Sequence, residues 1–147
     1  MSTYQDSNKN EWPLEIVTKT VREIKKTVKD AEGEPVDLMA CVNGNLTFKL
    51  LTDPCLLVDI LWTICKPYAE TKGMTYDQFA AAHKGAVLDA GLEAFMEALG
   101  DFFPTPLKAA LKEMYSRTKE LQQTAIKAMI QSLDKSVQAI QPVESGN

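Results

Sequence analysis

Thr52–Phe79 reads TDPCLLVDILWTICKPYAETKGMTYDQF. It contains two helix starts and one break. Asp53-Pro54 reads as a cap followed by a first-turn proline. The carboxylate accepts first-turn amide protons that have no helical partner, and proline has no amide there to satisfy. Leu57, Ile60, Leu61 and Ile64 then share a face that Trp62 and Cys65 widen, with Asp59 as the main interior charge. A helix so apolar around its circumference belongs in a core. Pro67 is expected to kink or end it near Lys66. Thr75-Tyr76-Asp77-Gln78 has capping-box spacing. It starts a second helix that holds Phe79, Ala82 and His83 and ends near Gly85.

Working toward the N-terminus, Asn43-Gly44-Asn45 is a break. Leu46–Leu51 leans to helix, although an Asn-Gly turn also admits a small strand pair. Val36–Val42 reads as a short apolar segment of about two helical turns. Asp30–Pro35 (DAEGEP) is an acidic turn. Before it, Thr18 is placed to cap a helix with Val17, Val21, Ile24 and Val28 on one side. Lys19, Arg22, Lys26 and Lys29 form the other side. Glu11–Val17 (EWPLEIV) alternates in part and allows a short strand, which Pro13 would confine to an edge. Met1–Asn10 is polar and is expected to be flexible.

Toward the C-terminus, Val87–Leu99 has helical apolar spacing and stops at Gly100. Phe102-Phe103-Pro104 forms an aromatic plug. Thr105-Pro106 repeats the cap-plus-proline start. The longest helix follows, to about Ile140. Its apolar or small positions are Leu107, Leu111, Met114, Thr118, Leu121, Ala125, Met129, Leu133, Val137 and Ile140, at steps of mostly three or four residues. That spacing is close to a heptad seam. The expected fold is mostly α: a small helical domain with room for a short N-terminal strand pair and a long C-terminal helix. Its divisions are a flexible N-terminus 1–10, a globular part 11–104, the long helix 105–140 and a polar tail 141–147. Leu57, Ile60, Leu61, Trp62, Ile64, Phe79, Phe95, Leu99, Phe102 and Phe103 are expected to form one core cluster.

A chain of 147 residues with a 45% apolar fraction can bury a core of its own. The net charge of −4 argues against non-specific binding to nucleic acid or anionic membranes. Residues 1–104 carry 10 basic and 16 acidic groups, a net −6, and residues 105–147 carry 6 and 4, a net +2. The basic stripe Lys19, Arg22, Lys26, Lys29 has no aromatic residues interleaved, so it reads as a solvated helix face. No segment is long and apolar enough to span a bilayer. The N-terminus has no apolar run, so no signal peptide is expected.

Little in the chain is arranged for catalysis. Cys41, Cys55 and Cys65 include no CxxC, and one histidine cannot complete a zinc set, so no metal and no cofactor are expected. Cys55 and Cys65 have apolar neighbours and read as buried residues in a reducing compartment. Cys55 also falls in a first helical turn, where the dipole would activate a thiol, which makes it the best candidate nucleophile. No companion base is evident, and packing is the favoured reading. His83 reads as a surface or rim residue. Asp59 reads as a structural carboxylate that points along an unburied seam or reaches a backbone amide or a lysine. The partner-binding residues are placed on the long helix: Leu121, Ala125, Met129, Leu133, Val137 and Ile140. A helix with a thin apolar stripe, too long to be buried in so small a domain, reads as an interaction surface.

The order of segments resembles the tail assembly chaperones of long-tailed bacteriophages. The matching pattern is a Trp12, Leu14, Ile16 entry, then the helix Thr20–Val28, then Val36-Asp37-Leu38. A Leu-rich helix ending in Leu-Trp follows at Leu57–Trp62, then a Gly-x-[ST]-x-[DE]-x-Phe turn at Gly73–Phe79, then an Ala/Leu helix running into Phe102-Phe103-Pro104. The resemblance covers roughly residues 11–115 and carries no catalytic signature. It implies a non-enzymatic protein of the host cytoplasm, active in phage tail assembly. Such a protein would bind the helical tape measure protein and keep it from aggregating. Two alternatives remain: a structural neck or tail component of the virion, packed through the long helix, and a small helical enzyme using Cys55.

Overall fold

The computed structural model describes residues 2–140, with Ile140 described by its backbone alone; the polar tail 141–147 lies outside the described residues. It is mostly helical. A two-stranded antiparallel sheet, β1 (Ser2–Gln5) and β2 (Glu11–Leu14), opens the chain. The helices α1 (Thr18–Thr27), α2 (Asn45–Thr52), α3 (Pro54–Thr71), α4 (Tyr76–Ala81), α5 (Ala86–Phe102) and α6 (Thr105–Ile140) follow, with a 3-10 turn at Leu38–Cys41. The central layer is α3. It packs against α1, α2, α4, α5 and β2, while α5 carries β1 on one side and α6 on another.

The N-terminal segment expected to be flexible is instead ordered as β1 and a tight loop. Ser2 and Tyr4 point inward while Thr3 and Gln5 point out, the period-2 pattern of a strand with one covered face. Tyr4 pairs with Trp12 and Ser2 with Leu14 across the sheet. Asp6 organises the loop. Its carboxylate accepts from Asn8 N (2.9 Å), Asn10 N (3.0 Å), Asn10 Nδ2 (3.1 Å) and the indole Nε1 of Trp12 (2.9 Å). Lys9 takes the left-handed φ of 64° that closes the turn. The strand pair is thus made by residues 2–14, and Asn43-Gly44 makes no hairpin. Gly44 instead adopts φ 86° as the residue before α2, where a Cβ would stand 2.8 Å from Met114 Sδ of α6.

Several helix ends differ from the sequence expectation. Asp53 caps α3 by accepting from Leu56 N (3.1 Å), and Thr75 and Gln78 exchange both capping-box bonds at the start of α4, as expected. Thr18, however, lies inside α1, and the capping position is Val17, whose amide donates to Thr20 Oγ1 (3.2 Å). Thr105 likewise lies inside α6; the Pro104 carbonyl takes the first-turn bond from Lys108 N (2.9 Å). Pro67 does not end α3, which runs on to Thr71. The lost amide bond falls on an exposed turn where water can replace it. The next turn brings Tyr68 edge-on to Trp12 at 5.8 Å, buries Ala69 fully and sets Lys72 Nζ 5.3 Å from the indole centre. Those contacts outweigh the proline defect. Gly85 precedes α5 rather than closing α4, and α5 passes through Gly100 to Phe102.

The expected core cluster exists and is larger than expected. Leu57, Ile60, Leu61, Phe79, Phe95, Leu99 and Phe103 are buried in it, and Trp62, Ile64 and Phe102 pack on its edge. Trp12, Leu14, Ile24, Leu38 and Leu111 also belong to it. Trp12 is fully buried, with Phe79 edge-on at 5.0 Å.

Candidate functional site

The residue types of α6 favour a long helix. It is rich in Ala, Lys, Leu and Gln and contains no glycine, and its one proline is Pro106 in the first turn. Glu113 precedes Arg117 by one turn and accepts from its Nε at 2.8 Å, the favourable order of charges along a helix. Thirty-six residues at 1.5 Å each give about 54 Å.

The first half of α6 is held by the body of the protein. Leu111 and Thr118 are buried, and Met114 and Tyr115 are half-buried. Glu93 of α5 accepts from Tyr115 Oη (2.9 Å) and Lys119 Nζ (2.6 Å). Burial alone would raise the Glu93 pKa, but the bonds from Lys119 and Tyr115 more than offset that and hold it below the usual carboxylate range. Burial, and then the bond to Glu93, push the Tyr115 hydroxyl upward. Lys108 pairs with Asp101 at 2.8 Å. The last of these tethers is Gln122, whose Nε2 donates to the Leu51 carbonyl at 3.0 Å.

Beyond Gln122 every described side chain of α6 is exposed. Of the residues expected to bind a partner, Leu121, Ala125, Met129, Leu133 and Val137 are all open to solvent, with Met129 and Leu133 each 57% exposed. The side chain of Ile140 lies outside the described residues. Two residues belong beside them that sequence reasoning missed, Ile126 and Ile130, at 42% and 50% exposure. Leu111, Tyr115, Thr118, Gln122, Ile126, Met129, Leu133 and Val137 follow one another by three or four residues. They form one continuous side of the helix, covered by the body in its first half and bare in its second. Leu121 stands about 140° around the helix from Ile126, so it flanks the stripe rather than forming it. The missed signal was the strict alternation of four- and three-residue steps, Ile126, Ile130, Leu133, Val137, Ile140.

No family model, curated protein or solved structure matches this chain.

The remaining polar groups have structural surroundings. His83 is buried rather than on the rim. Its Nδ1–H donates to the Phe79 carbonyl (2.7 Å), which leaves Nε2 to accept from the Tyr4 hydroxyl (2.7 Å). Burial lowers the His83 pKa, with partial compensation from the Phe79 bond, and burial raises that of Tyr4. Asp59 accepts from the Tyr76 hydroxyl at 2.6 Å rather than from an amide or lysine, and this bond pushes Tyr76 up to about 12. Cys41 and Cys65 are buried, and burial pushes each thiol up to about 12. Cys55 is exposed, against the expectation that it packs inside. The only histidine is engaged with Tyr4 and Phe79, so Cys55 has no imidazole to activate it. Among the described residues no group of three His, Cys, Asp or Glu could hold a metal, and no helix is long and apolar enough to cross a membrane.

The thiols give a direct check. In the native protein at pH 7.5, one thiol should react with a maleimide reagent within minutes and two only on unfolding. Mass mapping should place the fast site at Cys55. Fast alkylation at pH 6 would instead mark an activated thiolate and revive the enzyme alternative.

Proposed function

We propose that this protein is a non-enzymatic helix-binding protein that acts as a phage tail assembly chaperone in the host cytoplasm. Its client is the tape measure protein. The reading is supported by one observation above the rest. Past Gln122, α6 presents Ile126, Met129, Ile130, Leu133 and Val137 to solvent along one side. Contiguous exposed apolar surface usually marks an interface. A helix bearing such a stripe is suited to laying against another helix, with Met129 adapting to varied side chains. The acidic body keeps such a protein soluble beside a crowded client. The alternative of a structural virion component uses the same surface but buries it permanently.

The test is co-expression with a tape measure protein. Wild-type chain should keep the client soluble and co-purify with it. Met129→Asp together with Leu133→Asp should lose both properties while shifting the thermal midpoint of the chaperone by less than about 2 °C, since exposed substitutions rarely cost more than ~0.5 kcal/mol. A double variant that still protects the client removes α6 from the reading. A double variant that unfolds shows instead that the distal helix folds back as core. Presence in mature particles favours the structural alternative.

A further inference from the structure

The distal half of α6 carries a seam with a definite geometry. Ile126, Ile130, Leu133, Val137 and Ile140 succeed one another by four, three, four and three residues. This is the a/d rhythm of a coiled coil, with Ile126 at d, Ile130 at a, Leu133 at d and Val137 at a. Lys127 and Asp134 then both fall at e, and Met129 and Ser136 at g. Lys127 and Asp134 are exposed, and among the described residues neither forms an ion pair.

We infer that this seam pairs with the same seam of a second copy of the chain, in antiparallel orientation. The inference rests on the reading of α6 as an interaction surface and names the occupant of that surface when no client is bound. Three observations select this pairing.

The first is charge. In an antiparallel pair each a residue meets a d residue. Ile130 then lies opposite Leu133 of the second copy, and Ile126 lies opposite its Val137. In that register e positions face e positions, so Lys127 faces Asp134 of the second copy and Asp134 faces its Lys127. Two ion pairs form from two residues, as two-fold symmetry requires. In a parallel pair g faces e. Lys127 would then face Gln122 and Asp134 would face Met129, with no ion pair in either place.

The second is length. In the antiparallel register the backbone of residue 140 lies level with Gln123 of the second copy. Gln122 is the last α6 residue bonded to the body, through the Leu51 carbonyl. The overlap therefore uses residues 123–140, the whole exposed stretch, and stops where the body of the second copy begins.

The third is the position of the body. Leu111, Tyr115, Thr118 and Gln122, which face the body, lie on the same side of α6 as the seam. A parallel pair would bring two bodies into the one space between the helices. The antiparallel pair puts them at opposite ends. Its interface is only about 27 Å long, which places it among small, exchangeable contacts rather than permanent ones. A client helix can then displace the second copy from the same seam.

Sedimentation equilibrium of the full chain, from roughly 5 to 200 µM at low salt, tests this. A reversible monomer–dimer equilibrium is expected. Ile130→Asp should weaken it at least tenfold. Lys127→Asp alone, or Asp134→Lys alone, sets like charges against each other at both ends of the pair and should weaken the dimer roughly tenfold. The double reversal K127D/D134K rebuilds both pairs and should return the dissociation constant to within about threefold of wild type. A chain that stays monomeric over the range overturns the inference. Single reversals without effect, or a double reversal that fails to restore dimerisation, overturn the antiparallel register. Client protection is read separately. A dimer that fails to protect the tape measure protein counts against the chaperone reading alone, and a monomer that protects it counts against the antiparallel pair alone.

Discussion

Leu61→Ala is expected to lower the unfolding free energy by about 2–5 kcal/mol, toward the upper end of that range. Leu61 is fully buried at the crossing of α3 and α5. There α5 presents Gly91, where a Cβ would stand 3.0 Å from Leu61 Cδ1 and 3.6 Å from Tyr4 Cε2. The leucine therefore packs directly on backbone and beneath β1 at the same time. Removing three carbons leaves a gap bounded by a helix, a helix and a strand. None can close it without pulling the other two out of register, so the cavity persists and its cost adds to the lost transfer energy. Urea denaturation followed by circular dichroism should show a lower midpoint with an unchanged slope. Leu121→Ala, on the exposed flank of α6, is the control and should change stability by less than about 0.5 kcal/mol. A loss of that small size at Leu61 would mean that α3 is not the central layer.

Asp6→Ala is expected to cost about 2–4 kcal/mol and to undo the N-terminal sheet. The residue is 5% exposed, yet its carboxylate accepts four hydrogen bonds, one of them from the indole of the fully buried Trp12. The amides of Asn8 and Asn10 can find water when the carboxylate is gone. The indole N–H cannot, and a buried donor without a partner carries a penalty of ~1–3 kcal/mol by itself. The loop loses its tie as well, and with it the return of β2 on β1. Asp6→Asn should cost less, because the amide oxygen still accepts. The same group sets part of the acid sensitivity. Burial would raise the Asp6 pKa, but the bonds from Trp12, Asn10 and Asn8 prevail and hold it below the usual range. The unfolded chain then binds the proton first. Stability from Asp6 is present above about pH 4 and is lost as pH falls through the lower folded value. His83 acts earlier. Its folded pKa is depressed, so the unfolded state is the better proton acceptor below about pH 6.5, and stability begins to fall there. Thermal melts from pH 8 to pH 3 should therefore decline in two steps. The upper step should vanish in His83→Gln, and the lower should shrink in Asp6→Asn. A single step below pH 4 in the wild type would show that His83 does not titrate with unfolding.

The helical class of this protein is determined by local sequence. Asp53-Pro54 and Thr75–Gln78 satisfy backbone amides within three residues of themselves, so their caps form as they read. The apolar face of α3 is legible for the same reason, because its period follows from helix geometry whatever lies opposite. The exposed reach of α6 is also legible, since a helix of 36 residues is longer than a body of this size can cover. Where two elements compete, only the tertiary structure decides. Pro67 reads as a kink or a stop, yet Tyr68 and Lys72 gain Trp12, and Ala69 is buried, by continuing the helix. Ser2–Gln5 reads as a loose end because four polar-looking residues carry too little periodicity to declare a strand. The strand exists because α5 covers its inner face and Asp6 ties its return to Trp12. His83 reads as a rim residue because its partner Tyr4 lies 79 positions away, and no local pattern contains that hydrogen bond. The exposed apolar stripe of α6 was only partly legible. Met129, Leu133 and Val137, and equally Ile126 and Ile130, follow from spacing alone, but the onset of exposure at Gln122 does not. It depends on where the body stops covering the helix, and that boundary is drawn by Leu51 and Glu93 from other parts of the chain.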